Sequence, residues 1–101
     1  MAGDRYVRRV SSEEAREDFV LVLKDRLDFF PPVATPFHIV HEGRRFRARV
    51  TAVPCECRGP ELPHEHYRIH WTGLRAGDRV SLLRDPTRST YVALIERRHA
   101  A

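Results

Sequence analysis

The chain has 101 residues, 32% of them charged and 42% hydrophobic, and a net charge of +4. That length makes one domain, residues 1–101, with a core adequate for independent folding and little to spare. Two cysteines give no disulfide framework, and no N-terminal apolar run resembles a signal peptide. The longest apolar run, residues 19–23, falls far short of a membrane span. The expectation is a cytoplasmic protein without membrane contact, whose thiols stay reduced. Lys24 is the only lysine, so the positive balance is almost all arginine, and it leaves an anionic partner open.

In chain order, residues 4–10 read as a short strand or an arm, because Tyr6, Val7 and Val10 fit no single period. Ser11 and Glu14 are spaced as a capping box, with acids filling the turns that follow. Ala15, Phe19, Val22, Leu23, Leu27 and Phe30 recur at helical spacing. Pro31-Pro32 ends the pattern. A strand over residues 19–23 is the competing reading, but it lacks bounding turn residues, so the expectation is one N-terminal helix.

From Pro36 onward the period is two. Phe37–His41 is a predicted strand, Glu42-Gly43 a turn, and the return strand points Phe46, Ala48, Val50 and Ala52 one way. Arg45, Arg47, Arg49 and Thr51 point the other. In residues 64–71, Tyr67, Ile69 and Trp71 alternate with His64, His66, Arg68 and His70. One long hairpin is expected, residues 44–57 against 64–71. Its register sets Cys57 opposite His64, Cys55 opposite His66, Ala52 opposite Ile69 and Val50 opposite Trp71. Thr72-Gly73 and residues 74–78 turn the chain into a strand at 79–83. Residues 85–88 make a turn before the last strand, Thr90–Glu96. Its run Tyr91-Val92-Ala93-Leu94-Ile95 is apolar on both faces, which predicts a central or doubly covered position. The expected fold is α+β, the helix packed on a mainly antiparallel curled sheet or small open barrel of about five strands.

Cys55, Cys57, His64 and His66 offer two thiols and two imidazoles on one face of that hairpin. This is the donor set of a tetrahedral zinc ion, and with all four positions filled the metal is structural. The competing readings are a solvated polar hairpin and a strained Cys55–Cys57 disulfide. Without metal, either thiol would be a nucleophile with His64 or His66 as base. Arg45, Arg47, Arg49 and Arg68 form a stripe suited to a nucleic-acid backbone, although Phe46, Tyr67 and Trp71, needed for base stacking, fall on the opposite face. The function expected is a zinc-binding adaptor module, its partner a nucleic acid or a protein, with no catalytic residue assigned.

His64-x-His66 followed by His70 and Gly77 is similar to the first metal motif of cupins, with His70 where that family has glutamate. The resemblance implies the alternative, a small metalloenzyme with a histidine-rich centre. His70 lies roughly 13 Å beyond His66 at strand rise, so this site requires a bend. Residues 73–80, Gly-Leu-Arg-Ala-Gly-Asp-Arg-Val, resemble the loop-to-strand step of small barrels, including swapped-hairpin AbrB-like DNA-binding domains. The N-terminal half lacks that pattern. No serine or cysteine triad, phosphate-binding glycine loop or paired-carboxylate site is discernible.

Overall fold

The computed structural model describes residues 5–55, 64–85 and 90–97. Eight strands among them form two sheets. The first strand, β1 (Arg5–Arg9), leads into the helix α1 (Ser12–Glu17). Ser11 and Glu14 make the expected capping box, each side chain bonding the other residue's backbone amide. The helix is far shorter than its apolar spacing predicts. Asp18 adopts the left-handed conformation (φ 58°), which a short polar side chain tolerates, and ends it. Phe19–Val22 then forms β2, and a 3-10 helix follows over Lys24–Phe29. Aromatic and β-branched side chains favour a strand, and here tertiary pairing decides between two locally acceptable periods.

Strands β3 (Phe37–His41) and β4 (Arg44–Ala48) are joined by Glu42-Gly43, both at positive φ, the backbone that a two-residue hairpin turn requires. After Arg49 the chain continues as β5 (Val50–Cys55), then β6 (His64–His70), β7 (Arg79–Arg84) and β8 (Thr90–Glu96). One sheet has the order β1-β7-β8-β3-β4 and the other β2-β6-β5. All pairings are antiparallel except β3 with β8. The described strands form no closed barrel, so the expected single sheet of about five strands is replaced by two sheets around a shared core.

The expected long hairpin strand is divided at Arg49. Its first part pairs with β3 in one sheet, its second with β6 in the other. Crossing between sheets keeps the apolar alternation inward throughout: Phe46 faces Ile39, Ala48 faces Phe37, and Val50 faces Ile69. The backbone amide of Ala34 donates to the Val50 carbonyl at 2.8 Å, just past the crossing.

The core lies between the sheets. Tyr6, Phe29, Phe30, Phe37 and Tyr91 cluster with ring centroids 5.0–6.3 Å apart, a range in which edge-on and tilted aromatic contacts are favourable. Their hydroxyls are satisfied inside the protein. Tyr91 donates to the Phe29 carbonyl at 2.7 Å, while Tyr6 donates to Leu21 and accepts from the Leu23 amide. Burial raises the pKa of both phenols. Strand β8 takes the central position its composition predicts, yet only one of its faces is covered, Val92 and Leu94 being 43% and 53% exposed. Asp78 accepts from the Arg75 amide at 2.8 Å and from Arg97, fixing the turn before β7. Among the described residues, no helix is long and apolar enough to cross a membrane.

Candidate metal centre and basic groove

The pairing of β5 with β6 sets the candidate centre. Cys55 lies opposite His64 and Val53 opposite His66, with Val50 opposite Ile69. Relative to the expected register this is a slip of two residues. Side chains alternate with period two, so a slip of two leaves every residue on its face, whereas a slip of one would reverse them all. Cys55, His64 and His66 therefore still share the face turned away from the core.

Their ligand atoms all lie within 4.8 Å of one another. The two imidazole Nε2 atoms are 3.2 Å apart and the rings stand edge to face, 82° between planes. Two nitrogens held at about 2.0–2.1 Å by one tetrahedral ion lie about 3.3–3.4 Å apart, so this pair already matches one edge of such a site. A neutral imidazole donating to its neighbour also spans 3.2 Å, so the nitrogen separation fits either state and the nearby thiol is what favours metal. Cys57, the expected fourth ligand, lies outside the described residues, as does the loop at 58–63.

Beside this cluster is a cleft of about 400 Å³, lined by Cys55, His66 and Arg68 on the hairpin side and by Arg8, Ser11 and Glu14 on the other. Glu14 forms its fixed wall. It is only 2% exposed and pairs with Arg8 at 2.8 Å, while its carboxylate also accepts from the Ser11 and Leu21 amides. Burial alone would raise its pKa. The Arg8 guanidinium and the bonds from Leu21 and Ser11 outweigh burial and hold the carboxyl below its usual range. The same bond raises Arg8 further. The sequence marked Glu14 as a cap, but nothing in its spacing pointed to Arg8 or Leu21.

Arg68 is not brought into one stripe with the other three arginines. Arg45 and Arg47 lie in β4, Arg49 sits at the crossing between sheets, and Arg68 belongs to the other sheet. The Arg68 guanidinium covers the Phe19 ring at 4.2 Å, a cation–π contact, and its buried Nε has no hydrogen-bond partner among the described residues. His70 pairs with Phe19 at the far end of β6 and lines a recess with Arg47, away from His64 and His66. The three-histidine centre implied by the cupin resemblance is thus not assembled, and a cysteine takes the third place in the cluster.

No protein-family model matches the chain, and no curated protein matches it.

Proposed function

We propose that this chain is a small zinc-binding domain acting as a binding or adaptor module, with Cys55, His64, His66 and, as fourth ligand, Cys57. The observation that carries this reading is the convergence of a thiol with two imidazoles, their ligand atoms within 4.8 Å of one another. Cys57 is the other thiol, two residues from Cys55, and completes a closed tetrahedral set whose role is to fix the hairpin tip. Arg45, Arg47 and Arg49 then contact a nucleic-acid backbone from a different part of the surface. That contact is supported by their positions around the crossing from β4 to β5 and by the net charge of +4.

A metalloenzyme is the second reading, favoured by the cleft that borders Cys55 and His66. With three protein ligands an open coordination position would face that cleft and take water or substrate. Elemental analysis of protein purified without a histidine tag or added metal tests both. One zinc per chain is expected for the parent protein. Retention of stoichiometric metal by Cys57→Ser favours the open site, its loss favours the structural one, and a metal-free parent protein under reducing conditions contradicts both.

A further inference from the structure

The edge strand β4 borders a recess of about 750 Å³ walled by Arg44, Arg45, Phe46, Arg47, His70 and Trp71. An adjoining recess of about 520 Å³ shares Arg47 and His70 and extends along Arg49. The arginines supply four positive charges to this groove, and Glu42 is the one carboxylate among its described lining residues. None of these four arginines has an ion pair among the described residues. Arg45 meets the His38 ring instead, at 3.2 Å.

Exposed arginines alone need no ligand. Two further features select one. The groove wall includes the half-buried Phe46 ring, held edge-on by Trp71 at 5.2 Å between centroids, and Trp71 is itself only 6% exposed. A ring packed on the core and partly exposed at the recess offers a stacking surface that loses little freedom when a base covers it. Alternation along one strand predicts Phe46 on the face opposite Arg45 and Arg47, yet all three line the same recess. Its concavity is the second feature. A duplex is read by elements that protrude into its grooves, whereas a recess lined by cations and an aromatic ring suits a flexible single strand.

We infer that this groove binds single-stranded nucleic acid, its arginines on the phosphates and Phe46 beneath a base. The inference rests on the nucleic-acid reading above and narrows it to one class of partner. The test is fluorescence anisotropy of the full chain with labelled mixed-sequence oligonucleotides of roughly a dozen nucleotides, within the range of such sites. Single-stranded DNA, single-stranded RNA and the matching duplex are compared at low and moderate salt. The single strands should bind about tenfold tighter than the duplex, the equivalent of one base stack. Arg45→Ser with Arg47→Ser should flatten the salt dependence by about 1.4 log units per log unit of salt, two phosphates at about 0.7 each. Phe46→Leu, if its circular dichroism matches the parent, should weaken single-strand binding about tenfold with the salt slope unchanged. Should it misfold, the exposed arginine pair still carries the test. Equal or tighter duplex binding overturns the single-strand inference and leaves backbone contact standing. No binding of any oligonucleotide at low salt overturns both.

Discussion

Glu14 and the hairpin tip lie on opposite sides of one cleft and are organised by opposite means. Around Glu14 the protein satisfies itself: Arg8, Ser11 and Leu21 all bond one buried carboxylate, which ties β1, α1 and β2 together. At the tip, two imidazoles and a thiol converge where His66 is exposed and Cys55 and His64 are half-buried. Its own ion pair and hydrogen bonds account for the first arrangement. The second gathers one thiol and two imidazoles, a donor set that suits an ion. A buried carboxylate bonded on every side is architecture, whereas a thiol and two imidazoles converging near the surface form a candidate site.

Substitutions separate the two regions. The largest loss is expected at the Glu14 corner. Glu14→Ala leaves Arg8 partly buried without its partner and the Leu21 amide unbonded, costing about 3 kcal/mol, the low end for a broken buried pair because Arg8 retains some solvent. For a domain of this size that lowers the melting temperature by more than about 10 °C, measurable by thermal denaturation. A loss below about 1 kcal/mol would show that the corner is held by packing instead.

The same carboxylate gives a pH signature. Its folded pKa is depressed, by the Arg8 guanidinium and the Leu21 and Ser11 bonds acting against burial. Its contribution is therefore complete above the ordinary carboxylate value of about 4.3 and is lost as pH falls through the lower folded value. Glu14→Gln keeps the shape without the charge and should flatten the acid limb of stability against pH. An unchanged limb would assign acid sensitivity to other carboxylates.

At the tip a smaller and local effect is expected. Chelation, or Cys57→Ser, should lower the melting temperature less than Glu14→Ala does. Zinc contributes folding free energy where its ligands are, while β7 and β8 keep their own core contacts through Val80, Leu82, Tyr91 and Ala93. Hydrogen exchange should speed up near Cys55 and His64 and stay slow in β8. Equal melting temperatures with and without chelator would mean that no ion stabilises the hairpin.

The legible parts of the fold were those fixed by neighbours in sequence. The Ser11–Glu14 cap, the Glu42-Gly43 turn, β3, β8 and the inward set from Phe46 to Ala52 all follow from local spacing. The elements that differ from expectation depend on partners far along the chain. Phe19–Val22 satisfies helical and strand periods alike over four residues, and its pairing with β6 decides. Arg49 carries no glycine or proline to announce the crossing between sheets. The parallel pairing of β3 with β8 joins residues about fifty positions apart and leaves no periodic trace. The hairpin register failed for a different reason. Matching apolar faces tests parity only, so a slip of two passes unnoticed. Parity was nevertheless enough to put Cys55, His64 and His66 on one face.

The most direct measurement is cobalt(II) titration of the reduced, metal-free protein beside Cys55→Ser. The parent should show the intense visible bands of a tetrahedral ion together with thiolate-to-cobalt charge transfer, saturating at one equivalent. In Cys55→Ser the charge-transfer intensity should fall. Weak octahedral bands in the parent, or a spectrum that Cys55→Ser leaves unchanged, would contradict a metal centre built on Cys55, His64 and His66.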